Sequence, residues 1–345
     1  MTTYPRLLPA LFRLDSERAH DLTLRLLALA GSLPPLRMAL RRAYSLSDPR
    51  LPKKVFGLEF ANPVGLAAGY DKDGRAIHGL ACLGFGHLEL GTVTPSPQTG
   101  NPRPRVFRLK EDEALINRMG FPNAGAAALL RRIRRDRPEG VVIGVNLGKG
   151  AETPLERAAQ DYRSLLRTFY NQADYLTLNV SSPNTLGLRR LQGRALLESL
   201  LKEVSMERNA RVAATGRRVP VLVKLAPDMA EGELEDAVGA IFATGMDGVI
   251  ATNTSLARYG LRSASQGEAG GLSGAPLRAL STSMIRTVHR LTGGRLPIIG
   301  VGGIFGPTDA QEKLDAGATL IQLYTGLVYR GPGLPRAILS GLLPS

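Results

Sequence analysis

The stretch "LTLNVSSPNTLGL", residues 176–188, begins as an apolar strand and ends in a loop dense with amides and hydroxyls. Ser, Asn and Pro are ordinary turn material, so the cluster acquires meaning only from where the strand's end sits. Seven further runs place it: "PVGLAAG" (63–69), "HLELGTVT" (87–94), "VVIGVNLG" (141–148), "VPVLVKLA" (219–226), "GVIATNT" (248–254), "PIIGVGGI" (297–304) and "LIQLYTG" (320–326). Several are almost continuously apolar, as expected of parallel strands covered on both faces. Amphipathic segments such as "GRALLESLLKEVSMERNARV" (193–212) and "PTDAQEKLDAGA" (307–318) lie between them. Strand then helix, eight times over, predicts an α/β (β/α)8 TIM barrel. The competing doubly wound sheet rests on "GVGGIFG" (300–306), but its glycines do not match G-x-G-x-x-G and it follows the seventh strand, not the first.

A chain of 345 residues fits one such barrel with a helical extension, divided here into residues 1–45 and 46–345. Hydrophobic residues make up 43% and charged residues 21%, which argues against disorder. The single cysteine, Cys82, cannot form an intramolecular disulfide or alone hold a zinc ion or iron-sulfur cluster, and it reads as inert core. The formal charge of +14 suits nucleic acid, an anionic membrane surface or anionic small molecules without choosing among them. No run approaches the roughly 20 apolar residues that cross a bilayer. Arg13, Asp15, Glu17 and Arg18 interrupt any signal-peptide-like run.

In such barrels the chemistry gathers where the strands end and eight loops converge. The residues at those ends are Lys72, Thr92, Asn146, Asn179 with Ser182, Lys224, Thr252 with Asn253 and Thr254, Gly302 with Gly303, and Tyr324 with Thr325. Amides, hydroxyls and two lysines dominate. Paired carboxylates are lacking, so glycosidase-type chemistry is poorly supported. His20, His78, His87 and His289 fall in helix-like segments or at a strand's beginning, and no metal site emerges. The glycines after the seventh strand and "YTG" after the eighth occupy the place where barrels commonly bind phosphate. Lys224 closes a buried strand, where an unpaired ammonium would cost several kcal/mol, so it calls for an anionic partner. Lys72, in "GYDKDG", either pairs with Asp71 or Asp73 or binds a substrate carboxylate.

The motifs "AAGYDKDG", "GTVTPSPQTGNPRPRVFRL", "INRMGFPN", "NVSSPNT", "VKLAPD", "ATNT", "GGLSG", "IIGVGGI" and "QLYTG" together resemble dihydroorotate dehydrogenase, over almost the full chain. The resemblance implies oxidation of dihydroorotate to orotate in pyrimidine synthesis, with hydride passing to FMN. It assigns Ala68, Gly69, Lys72, Thr92, Asn146, Asn179, Lys224, Thr252, Gly274, Gly303, Tyr324 and Thr325 to the flavin. Substrate contacts would come from Lys72, Asn117, Arg118, Met119, Gly120, Phe121, Asn179, Asn184, Asn253 and Thr254. Asparagines both donate and accept, which suits the N-H, carbonyl and carboxylate edges of a pyrimidine. Ser182 matches the family's catalytic base, taking a proton from C5 while hydride leaves C6. Serine is a poor base alone, so a relay through Thr185 and water is expected. Serine at this position, where one branch has cysteine, points to the membrane-associated, quinone-reducing class.

Residues 1–45 bear on that class. Ala19, Leu22, Thr23, Leu26, Leu27 and Ala30 fall at helical spacing over 16–30, with Ser16 as the predicted cap and Gly31, Pro34 and Pro35 as the stop. Two short apolar helices flanked by Arg13, Arg18, Arg25, Arg37, Arg41 and Arg42 read either as a pack against the barrel or as a surface-bound membrane element. The resemblance favours the second, with His20, Arg108 and Tyr324 lining a quinone site, peripheral attachment to an anionic membrane surface, and a place on the cytoplasmic face of the inner membrane. It also implies no iron-sulfur partner subunit and no nucleic acid. Alternatives are a related FMN barrel that reduces another pyrimidine or tRNA uridine, and a non-catalytic membrane-binding protein. The loop after the fourth strand is the expected lid.

Overall fold

The computed structural model describes residues 4–343. All eight expected strands are present: β1 (Val64–Leu66), β2 (His87–Val93), β3 (Val142–Leu147), β4 (Tyr175–Asn179), β5 (Val221–Leu225), β6 (Gly248–Ala251), β7 (Ile298–Val301) and β8 (Leu320–Leu323). They pair in parallel in sequence order and close between β8 and β1, where Leu323 registers with Leu66. Every residue of every one of these strands is buried, which explains why they read as unbroken apolar runs.

The helices follow from stripes facing that barrel. Helix Arg194–Thr215 buries Leu197, Leu200, Leu201 and Val204, the spacing of one helical face, and stops where Gly216 takes the left-handed conformation at φ 67°. An antiparallel hairpin, Lys53–Val55 with Leu58–Phe60, inserts Val55 and Phe60 among Val142, Tyr175, Leu222, Ile250, Ile299 and Leu320. These lie near the strand starts, so the hairpin plugs the end opposite the chemistry. At the other end a three-stranded antiparallel sheet, Val106–Leu109, Ala114–Asn117 and Gly271–Gly274, leans over the mouth. Cys82 is buried, as expected of core.

The N-terminal segment departs from its reading in three ways. It forms three helices, Tyr4–Leu11, Ser16–Ser32 and Pro34–Tyr44, where two were expected. The cap of the second is Asp15, whose carboxylate accepts from the backbone of Glu17 and Arg18. A carboxylate there also faces the positive end of the helix. The predicted apolar face is divided. Of its residues Ala19 is buried and Thr23, Leu27 and Ala30 are half-buried, whereas Leu22 and Leu26 are exposed; outside it, Leu24 and Gly31 are buried and Leu29 is exposed. Close packing sets this rotation: a Cβ on Gly79 would lie 2.1 Å from the carbonyl oxygen of Leu27. Helices Ser16–Ser32 and Ile77–Ala81 therefore meet backbone to backbone.

Candidate active site

At the C-terminal ends of the strands lies a cavity, the kind of concave space in which cofactors and small molecules are bound. Its walls include Ala68, Gly69, Lys72, Thr92, Asn179, Lys224, Thr252, Gly274, Gly303, Tyr324 and Thr325. Also on its walls are Asn117, Met119, Gly120, Phe121, Ser182, Asn184, Asn253 and Thr254. Residues more than 250 positions apart in the chain thus share one space.

Three predicted residues are placed differently. Arg118 turns away from the cavity to pair with Glu268 at 2.6 Å and to stack over Phe107 at 4.5 Å, so its neighbours, not its guanidinium, face the ligand space. Asn146 lies fully buried beneath the cavity floor, tied to Thr92 and Asn179. Thr185 is buried outside the walls and makes no direct hydrogen bond to Ser182. The Ser182 hydroxyl instead accepts from the backbone N-H of Asn184 at 3.2 Å.

The two lysines carry the positive charge. Lys72 pairs with neither neighbouring aspartate, because Asp71 accepts from the backbone N-H groups of Arg75 and Ala76 and Asp73 from that of Ala124. Its ammonium donates only to the Gly69 carbonyl, at 2.8 Å. Burial lowers its pKa to about 8. Burial also lowers that of Lys224, opposed by the charge of Glu89. Lys224 makes no ion pair among the described residues and points into the cavity. Two partly satisfied, buried ammonium groups make the space receptive to an anion.

The amides are held by one another. Asn253 donates to Asn179 and Ser181, while Asn184 donates to the backbone and side-chain oxygens of Asn117. Arg189 clasps the loop after β4: it donates to the carbonyls of Ser181 and Thr254 and to Asp228. Neither Arg189 nor Asp228 was singled out from sequence, although Asp228 ends the "VKLAPD" motif. Ser273, Leu277, Ile304 and Gln322, also overlooked, complete the walls.

Toward the N-terminal helices, the His20 ring meets Tyr70 edge-on at 5.1 Å and Tyr70 meets Tyr324 at 5.7 Å. Burial, reinforced by the charge of Lys72, lowers the His20 pKa to about 4, so its ring is neutral near pH 7. Tyr70 thus connects two of the three predicted quinone residues. Arg108 belongs to an adjoining cluster, donating to the Leu14 carbonyl and lying 4.7 Å over the Phe12 ring, which itself packs on Tyr329.

The sequence matches the dihydroorotate dehydrogenase family profile over residues 50–344. It is 52% identical to the dihydroorotate dehydrogenase (quinone) of Methylococcus capsulatus, covering 94% of both chains. The same-named protein of Acidithiobacillus ferrooxidans is 51% identical over 99% of this chain and 94% of its own. Among solved structures, the dihydroorotate dehydrogenase of Eimeria tenella in complex with ferulenol superposes with a TM-score of 0.88 at 41% identity, covering 95% of this chain and 91% of that one. None of these relatives favours the alternative of a reductase for tRNA uridine.

Proposed function

The chain belongs to the dihydroorotate dehydrogenase family, and from that premise we propose which of its residues perform the reaction and where it works. The protein is a flavin-dependent oxidoreductase that converts dihydroorotate to orotate in pyrimidine biosynthesis, with a quinone as electron acceptor. The flavin we assign is FMN. Gly69, Gly274, Gly303 and Gly326 line the cavity, and close packing behind the wall excludes larger residues: a Cβ on Gly303 would lie 2.5 Å from the Cα of Arg278. The residues fit such a group: Thr325 and Gly303 would take the phosphate, and Lys224 the pyrimidine edge of the ring. Ala68, Thr92, Asn146, Asn179, Thr252, Gly274 and Tyr324 would complete its seat. When bound, the flavin accepts the hydride.

Everything else falls to the chain itself. Lys72 would hold the substrate carboxylate, and Asn117, Asn179, Asn184, Asn253 and Thr254 would read its N-H and carbonyl edges. The backbone of Met119, Gly120 and Phe121 closes the pocket against water. Ser182 would take the proton from C5, its lone pairs oriented by the Asn184 N-H. Without a direct contact to Thr185, that proton would leave through ordered water.

The quinone would enter between the N-terminal helices, toward His20, Tyr324 and Arg108. Among the described residues no helix is long and apolar enough to cross a membrane. Among the described residues, eight of the fifteen exposed large hydrophobic residues nonetheless fall in the first 40 positions, a concentration of apolar surface of the kind found at interaction sites. With Arg37, Arg41 and Arg42 beside them, they support peripheral attachment to an anionic bilayer, on the cytoplasmic face of the inner membrane. We retain residues 1–45 as the membrane and quinone-access unit and 46–345 as the catalytic unit; residues 1–3 and 344–345 of that division lie outside the described residues.

One observation carries the assignment of residues: Ser182, Lys72 and Lys224 face a single cavity, with neither lysine in an ion pair among the described residues. The test of the acceptor is orotate formation measured with a soluble quinone, with fumarate and with NAD. Quinone should be preferred by a wide margin, and preference for fumarate or NAD would refute the acceptor assignment.

A further inference from the structure

Beneath the cavity floor, on the barrel axis, lies a carboxylate to which the site as so far described gives no task. Glu89 is 1% exposed, on β2, three residues before Thr92. Three donors converge on it: the Asn146 amide at 2.7 Å on one oxygen, and the Tyr175 hydroxyl at 3.0 Å and the Gln322 amide at 2.9 Å on the other. Gln322 turns its nitrogen to Glu89 even though its own oxygen is left buried without a partner.

We propose that Glu89 is a positioning residue that sets the hydrogen-bond polarity of Asn146 and, through it, of the Asn179 and Asn253 amides facing the ligand. A carboxylate accepts and does not donate, so the Asn146 amide must turn its nitrogen down to Glu89 and its oxygen up. That oxygen then receives the Thr92 hydroxyl at 2.6 Å and the Asn179 amide nitrogen at 3.2 Å. Asn179 in turn presents its oxygen to Asn253, whose own oxygen receives the Thr254 N-H at 2.8 Å. Glu89 thus fixes the direction of Asn146 and acts in concert with the Ser181 and Thr254 N-H groups, which donate to the side-chain oxygens of Asn179 and Asn253. Without it, an amide can rotate by half a turn and show the ligand the wrong edge.

This inference rests on the functional reading above, and the test separates the two. Glu89→Gln is isosteric, removes the charge and lets the group donate as well as accept. With flavin bound, the dissociation constant of orotate, followed by its perturbation of the flavin spectrum, should rise at least tenfold. The two-electron potential should move upward by at least tenfold in the reduction equilibrium, about 30 mV, because reduced anionic flavin loses a neighbouring negative charge. Thr177→Val, in the same interior and with a hydroxyl that has no partner, should change neither quantity. If Glu89→Gln loses thermal stability while orotate affinity and potential stay at wild-type values, Glu89 is merely structural and the proposal falls. Should that variant not fold, Asn146→Leu breaks the same chain one link higher and must weaken orotate at least tenfold; unchanged affinity overturns the proposal. A wild-type protein that ignores orotate would instead sink the functional reading, leaving the potential measurement to decide on Glu89.

Discussion

At the barrel mouth and its floor, Asn146, Asn179 and Asn253 are drawn inward and hydrogen-bonded in a chain, while in the N-terminal helices Leu22, Leu26 and Leu29 are exposed to solvent. The placement is inverted relative to the usual rule of apolar inside and polar outside. The mouth tolerates buried amides because nearly every lone pair and N-H has a protein partner, which offsets the cost of leaving water. The helices keep leucines outside because barrel packing uses the side that carries Ala19, Leu24, Leu27 and Gly31. On the proposed function, one region reads a polar ligand and the other meets an apolar phase.

The contrast can be broken at either end, and the largest effect belongs to the mouth. Ser182→Ala should lower turnover by roughly 10³-fold, the usual scale for a lost acid-base group, while the protein stays yellow. Loss of the flavin in that variant would show Ser182 to be structural. In the helices, replacing Leu22, Leu26 and Leu29 together with Gln should cut vesicle binding and quinone-dependent turnover at least tenfold, with activity toward a soluble dye unchanged. Equal losses with both acceptors would mean these leucines support folding.

A smaller effect comes from protons. Lys72, with a pKa lowered to about 8, attracts an anion only as the ammonium. Orotate affinity should therefore be flat below that pH and fall above it, by at most about tenfold per pH unit. Lys72→Met should bind weakly at every pH, and a surviving fall above pH 8 would assign it elsewhere. The smallest concerns stability. His87 is buried with both ring nitrogens unpartnered, and burial lowers its pKa to about 3. An ordinary histidine in the unfolded chain protonates near 6.5, so below that pH the unfolded state binds more protons and stability falls with acidification. His87→Phe should flatten the loss between pH 6.5 and 4 by up to about 1.4 kcal/mol per pH unit, read from denaturant unfolding.

Legibility in the sequence also differed between the two regions. The barrel strands could be read because burial on both faces leaves an unbroken apolar signature, and the mouth because the strand ends put chemistry-bearing residues at predictable places. Glu89 escaped notice, although "HLELG" places His87, Glu89 and Gly91 on one period-two face. A carboxylate in an apolar strand is a strong signal that a search confined to strand ends passes over. Arg118 was misplaced because a motif gives adjacency and not side-chain direction. In the helices, spacing revealed amphipathicity but not which face met the barrel, since that is settled by the Gly31 and Gly79 contact across about 50 residues.

The central claim is that this mouth brings dihydroorotate, Ser182 and a flavin together in one enclosed space. Its most direct test is anaerobic addition of dihydroorotate to the purified yellow protein. The account predicts that the colour bleaches within the time of mixing, that one orotate forms per flavin, and that a quinone restores the yellow. A protein that is colourless and takes up no FMN, or whose yellow persists with dihydroorotate present, contradicts it.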